Sequence, residues 1–184
     1  SGKSTASAYL RELGAAIVDA DAISRASTRR GGAAFEAVCA AFGDILGADG
    51  EIDRRKLGGI VFADEDARRK LNSIVHPAEM AESRAQIENA RASSVKVCIL
   101  DVPLLFETGM EKLCDETWLI YVPREEQIRR MAERDGLDAA AAAARIDSQM
   151  PLEEKLKRAD VTIDSSGTIE QTREKLRRLW EERT

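Results

Sequence analysis

Four apolar runs, spaced between helix-like segments, constrain this chain most. They are "AAIVDAD" (15–21), "VKVCILDVPLLFE" (95–107), "ETWLIYV" (116–122) and "ADVTID" (159–164). Short apolar runs bounded by turn residues are the signature of buried strands. The second is the clearest: Val95, Val97, Ile99 and Leu100 are strand formers, and Pro103 ends the run. Pro123 closes the third. The segments between them carry helical periodicity. Residues 4–13 place Leu10 and Leu13 on one side before Gly14, and 33–43 repeat Phe35, Val38, Cys39 and Phe42 before Gly43. Helices are also expected over 53–63, over 64–77 with Pro77 just past the end, and over 78–92. Beyond the third run the spacing predicts a helix over 124–136 with Gly136 as its C′ residue. Another follows over 137–149, N-capped by Asp138 and built on the alanines 139–144, and a last one over 168–183. Strand–helix alternation at both ends of the chain gives an α/β fold with a mainly parallel sheet. The helical stretch from about residue 24 to 92 reads as an insertion over one edge of that sheet.

A chain of 184 residues without a long linker or repeat suits one domain with one sizeable core. Hydrophobic residues make up 43% and charged residues 33%, the balance of a globular chain rather than a disordered one. The net charge of −5 argues against a nonspecific nucleic-acid binder, which needs a basic face. Cys39, Cys98 and Cys114 are widely spaced with no CxxC pair, so they are expected to be buried thiols in a reducing compartment. With His76 as the sole histidine, a zinc site of two or more histidines is impossible within one chain. No apolar run approaches the roughly 20 residues that span a bilayer. The expectation is therefore a cytoplasmic protein without a membrane partner, either a monomer or a small homo-oligomer.

In open α/β sheets, ligands sit beyond the carboxyl ends of the strands. Three acids fall there: Asp19 and Asp21 after the first run, and Asp101 within the second. If the first strand runs through residue 21, Asp19 and Asp21 face the same side. One would then accept a proton and the other hold a metal-bound water; the plainer alternative is a strand end plus a helix N-cap. The chain opens with Ser1-Gly2-Lys3-Ser4-Thr5, and a helix follows at once. Gly-Lys-Ser is how a phosphate-binding loop ends. The loop's N–H groups wrap a phosphate, its Lys neutralises β/γ oxygens, and its Ser hydroxyl meets Mg²⁺. Arg130 and Arg134 share a helix face near Arg129, with Arg145 on the next helix. Two guanidinium forks without an obvious acid partner suit a polyphosphate, and the helix pair around Gly136 suits a lid. Solvated pairing with Glu125, Glu126 and Glu133 is the competing reading. His76 reads as a hydrogen-bonded structural histidine. Arg54 and Arg55 read equally as a surface pair or as contacts for an anionic substrate.

Taken in order, these pieces resemble the dephospho-coenzyme A kinases. The matching residues are Ser1–Thr5, Leu13-Gly14, Asp19–Asp21, Phe42, Asp49-Gly50, Asp53-Arg54, Leu57, Val61-Phe62 and His76-Pro77. They continue through Asp101–Glu107, Arg130, Arg134-Asp135, Gln149, Asp160 and Ile163. The resemblance implies a three-layer α/β/α P-loop fold with a core of residues 1–23, 93–122 and 159–184. Residues 24–92 would be a helical coenzyme A-binding region and 123–158 a lid. It implies transfer of the ATP γ-phosphoryl group to the ribose 3′-hydroxyl of dephospho-coenzyme A, the last step of coenzyme A biosynthesis. ATP and Mg²⁺ are the implied cofactors. Asp21, Lys3 and Arg130 are then the catalytic residues; Ser1, Gly2, Lys3, Ser4, Thr5 and Arg134 bind ATP, and Ser4 meets the metal. Ser165 stands where the family usually has an Asn near the adenine. The family's strand and glycines ahead of the loop precede Ser1, so a chain starting there is expected to bind ATP weakly. Other small P-loop kinases, with a nucleoside monophosphate or shikimate as acceptor, stay open on the loop alone. A GTP-binding switch lacks its NKxD motif here.

Overall fold

The computed structural model describes residues 2–184, which form two compact units. The first unit runs up to Ile17 and resumes over Ser94–Thr184; the second is Val18–Ser93. The class is α/β.

In the first unit, α1 (Lys3–Glu12) leads into β1 (Ala16–Asp19), whose last two residues belong to the second unit. β1 pairs with β2 (Cys98–Asp101), and the Ala16 N–H donates to the Val97 carbonyl at 3.0 Å. β3 (Trp118–Tyr121) lies parallel to β4 (Val161–Asp164), with Trp118 opposite Val161 and Tyr121 opposite Asp164. After β2 come α6 (Leu105–Thr108) and a 3₁₀ turn at Met110–Leu113. Between β3 and β4 lie α7 (Arg124–Asp135), α8 (Ala139–Asp147) and α9 (Leu152–Arg158); α10 (Ile169–Glu181) ends the chain. The core of this unit joins Ala6 and Leu10 of α1 to Ile163 of β4 and Leu176 of α10, with Ile99, Trp118 and Ile120 packed around them.

Local chemistry sets the element ends. Gly136 sits at φ 66° after α7, a left-handed C′ position that favours glycine. The Asp138 carboxylate accepts from the Ala141 N–H at 2.7 Å, so it caps α8 as its position predicts. Thr168 and Gln171 form a reciprocal capping box at the start of α10. α9 was not anticipated, because its seven residues are too few to show a period. Of the two readings of Asp19–Asp21, the structure takes the strand end with a helix N-cap: the strand stops at Asp19, whose carboxylate accepts from the Ala22 N–H at 3.0 Å and N-caps α2 (Ala20–Ser27). Asp21 is therefore in the first helical turn, and strand alternation does not set it beside Asp19.

The second unit is helical: α2, α3 (Phe35–Phe42), α4 (Arg54–Ala63) and α5 (Glu65–Ala92). Asp53 and Asp64 cap the last two. Its core is Ala34, Phe35, Val38, Ile45, Ile52, Leu57 and Val75. The expected break at Pro77 is absent, and α5 runs through it for 28 residues. An interior proline forfeits one helix hydrogen bond and crowds the preceding turn, at about 3 kcal/mol. Packing outweighs that here, since Ile74, Val75 and Ala78, on both sides of Pro77, join the core. His76 thus lies mid-helix, half-buried. Among the described residues its ring makes no hydrogen bond, contrary to the expectation of a hydrogen-bonded histidine. All three cysteines are half-buried thiols. Burial, with Asp115 and Glu111 nearby, pushes Cys114 up to about 11.

Candidate active site

The site in the first unit is built where α1 meets the end of β2. Gly2 is the N-cap of α1 and sits at φ 83°, where a side chain would be strained. Its carbonyl accepts the Ala6 N–H at 3.1 Å. The left-handed residue turns the chain into the helix so that Lys3 becomes its first residue. Ser4 and Thr5 follow in the exposed first turn, and Ser1 lies outside the described residues. Unsatisfied N–H groups at this helix end favour an anion.

The Lys3 ammonium forms an ion pair with Asp101, the last residue of β2. The Ser7 hydroxyl donates to the other Asp101 carboxylate oxygen at 2.6 Å. Asp101 is the more enclosed partner, with 11% of its side chain exposed against 36% for Lys3. Sequence reasoning placed Lys3 and Asp101 in the site but missed Ser7. The available signal was its position four residues after Lys3, on the same helix face.

A second cluster surrounds Ser165, just after β4. The Ser165 N–H and hydroxyl both donate to the Tyr121 carbonyl, at 2.9 and 3.1 Å. Its carbonyl accepts from Arg130 Nη2 at 3.2 Å, and a Cβ on Gly2 would lie 3.6 Å from its Oγ. The turn after β4 therefore lies beside the loop residue Gly2 and is bonded to the α7 arginine.

The arginines are not unpaired as expected. Arg130 Nε also donates to Glu126 at 2.6 Å, and Arg129 is clamped between Glu126 and Glu133. Arg129 and then Arg130 hold the Glu126 carboxyl down at about 2. Arg134 and Arg145 both reach Asp135. Carboxylates one, three or four positions away were within reach of Arg129, Arg130 and Arg134, whereas Arg145 reaches Asp135 ten positions back.

Glu107 ties α6 to α9. Its carboxylate takes the Lys155 ammonium at 2.8 Å and the Met150 N–H at 3.0 Å. Burial raises the Glu107 carboxyl, but the Lys155 ammonium and backbone N–H groups outweigh it, and its pKa is lowered.

Asp21 belongs to the second unit. It is exposed in the first turn of α2, where a carboxylate meets the positive end of the helix. No hydrogen bond or ion pair engages its side chain among the described residues. Among those residues no three His, Cys, Asp or Glu side chains gather as a metal site. Among the described residues, no helix is long and apolar enough to cross a membrane.

A family model described as dephospho-CoA kinase (CoaE) matches residues 1–171. The dephospho-CoA kinase of Carboxydothermus hydrogenoformans is 51% identical over 177 residues, which is 96% of this chain and 86% of that protein. The one from Geobacter sulfurreducens is 43% identical and covers all of this chain and 93% of its own length. Among solved structures, TT1252 from Thermus thermophilus superposes with a TM-score of 0.82 at 34% identity, over 100% of this chain and 92% of that one. Dephospho-CoA kinase from Campylobacter jejuni gives 0.75 at 31% identity, over 98% and 90%. With Lys3 at the head of α1, Asp101 at the end of β2 and a match over nearly its whole length, the chain belongs to the dephospho-CoA kinase family.

Proposed function

We propose that this chain transfers the γ-phosphoryl group of ATP to the ribose 3′-hydroxyl of dephospho-coenzyme A, the last step of coenzyme A biosynthesis. The observation that carries the reading is the Lys3–Asp101 pair at the start of α1. It stations a cation beside the N–H groups of a helix end, the pair of features a polyphosphate needs.

Phosphoryl transfer asks the protein mainly for positioning and charge stabilisation. Lys3 and the backbone of Ser1–Thr5 hold the β- and γ-phosphates, with Asp101 and Ser7 storing Lys3 in register beforehand. Arg130, on α7, meets charge on the transferring group, and Arg134 assists binding. Asp21 takes the proton from the 3′-hydroxyl. That oxygen bonds to the γ-phosphorus, the bond to the β–γ bridging oxygen breaks, and ADP leaves. Mg²⁺ is usually held by one or two protein oxygens plus substrate phosphates, not by a protein cage. The exposed Ser4 hydroxyl and the Asp101 carboxylate fit that need, and the ion supplies charge neutralisation on the phosphates. Residues 24–92 take up the coenzyme A substrate, residues 123–158 close as a lid, and the work is done in the cytoplasm.

A phosphoryl-transfer assay with dephospho-coenzyme A, AMP, CMP and shikimate as acceptors tests this. Turnover on dephospho-coenzyme A is expected. Turnover on one of the other three alone would overturn it.

A further inference from the structure

The buried residues of α1 are Ala6, Ser7 and Leu10. Ala6 and Leu10 join the apolar core of the first unit, whereas Ser7 carries a hydroxyl into an enclosed position. Serine inside a helix is less favourable than alanine, and a buried hydroxyl needs a partner. A helical serine ordinarily finds one in the carbonyl four residues back. That carbonyl, of Lys3, lies 3.2 Å from Ser7 Oγ. The Asp101 carboxylate is closer, at 2.6 Å, and it is charged. A hydroxyl has one hydrogen to give, so it goes to Asp101. The carboxylate thereby divides its oxygens: Oδ1 takes the Lys3 ammonium and Oδ2 takes the Ser7 hydroxyl. Among the described residues no other group bonds to either oxygen.

A nucleotide acts differently on these two bonds. A polyphosphate carries several negative charges against one on Asp101, so it draws the Lys3 ammonium toward itself. Ser7 is neutral, is fixed within α1 and meets the other oxygen, so its bond outlasts the exchange. We propose that Ser7 is a positioning residue for ATP: it holds the Asp101 carboxylate in place while Lys3 passes its charge from Asp101 to the phosphates. Without Ser7, the departing ammonium would leave an enclosed carboxylate with no partner, which is costly. Ser7 therefore lowers the cost of releasing Lys3, and ATP binds more tightly for it. The inference rests on the proposed ATP site and not on the identity of the acceptor.

The test uses Ser7→Ala, Ser7→Thr and Lys3→Met, with Ser7→Ala also made in the Lys3→Met background. ATP affinity is measured by calorimetry with no acceptor present, and thermal melting is measured without nucleotide. Ser7→Ala is expected to weaken ATP binding about tenfold, the loss of one hydrogen bond to a charged group. Its Tm should fall only slightly, because Lys3 still holds Asp101 and alanine suits a helix better than serine. Ser7→Thr keeps the hydroxyl and should recover most of the affinity. KM for ATP should follow the calorimetry, while KM for dephospho-coenzyme A stays within about twofold. Lys3→Met imitates the departed ammonium, so in that background Ser7→Ala should lower Tm clearly more than it does alone. A merely structural Ser7 would give the same fall in both backgrounds. Unchanged ATP affinity in Ser7→Ala, equal losses in Ser7→Ala and Ser7→Thr, or equal Tm changes in the two backgrounds would each overturn the inference. Absence of turnover on dephospho-coenzyme A, with the predicted shifts in ATP affinity and Tm present, would instead overturn the functional reading and leave the role of Ser7 standing.

Discussion

Asp21 and Lys3 illustrate two ways in which a side chain is readied for chemistry. Lys3 is held by a carboxylate on a neighbouring strand and a hydroxyl one turn along its own helix. Asp21 is exposed at the head of α2, with no hydrogen-bond or ion-pair partner among the described residues. In the proposed reaction Asp21 accepts a proton, whereas Lys3 binds charge. Asp21→Asn should therefore lower kcat roughly 10²- to 10⁴-fold, the range for a general base. ATP affinity measured by calorimetry should be nearly unchanged. A variant that keeps near-normal turnover would remove Asp21 as the base. Lys3 was legible from the tripeptide Gly-Lys-Ser, because the loop's chemistry requires that order. The setting of Asp21 stayed open between a strand and a helix start, and the N-cap bond from Ala22 to Asp19 decides for the helix.

At the scale of elements, the join between α6 and α9 is a stringent contact. Glu107 and Lys155 expose only 22% and 13% of their side chains. Removing one partner of such a pair leaves the other charge poorly solvated. Lys155→Ala should destabilise the protein by about 1–3 kcal/mol, at the lower end of the range for enclosed pairs. Denaturant unfolding measures this, and Glu107→Gln combined with Lys155→Met should recover part of the loss. Some elements were readable because a single residue decides them: Asp138 caps α8, and Gly136 ends α7 in a left-handed turn. Others depend on partners distant in sequence. Pro77 does not end α5, because the core around Ile74 and Ala78 outweighs one missing hydrogen bond. The pairing of Arg130 with both Glu126 and the Ser165 carbonyl needs the folded turn after β4.

At the scale of the molecule, each unit has its own core, and acidic residues outnumber basic ones, 33 to 28. Acid stability then depends on carboxylates that folding holds ionised. In the first unit, Glu116 receives Arg183 in a two-pronged pair at 2.6 and 2.7 Å and the Trp118 indole N–H at 2.8 Å. The Arg183 guanidinium, opposed by slight burial and helped by Trp118, holds Glu116 down at about 2. A carboxyl lowered from 4.5 to about 2 contributes stability that is complete above pH 4.5 and is lost as pH falls toward 2. Melting curves between pH 7 and pH 2 should show Tm falling across that window, and Glu116→Gln should make the fall shallower. An equal slope in the variant would show that other carboxylates dominate. The α/β class was readable from alternation alone, since buried strands and amphipathic helices leave different periods. That the chain carries two cores rather than one was not, because both draw on the same few aliphatic residue types.

The central claim concerns one bond. ATP labelled in its γ-phosphate is incubated with dephospho-coenzyme A and the protein, and the product is mapped by phosphorus NMR and mass spectrometry. The account predicts the label on the ribose 3′-oxygen, with one ADP formed for each coenzyme A. Label released as inorganic phosphate, or attached at any other oxygen of the acceptor, would contradict it.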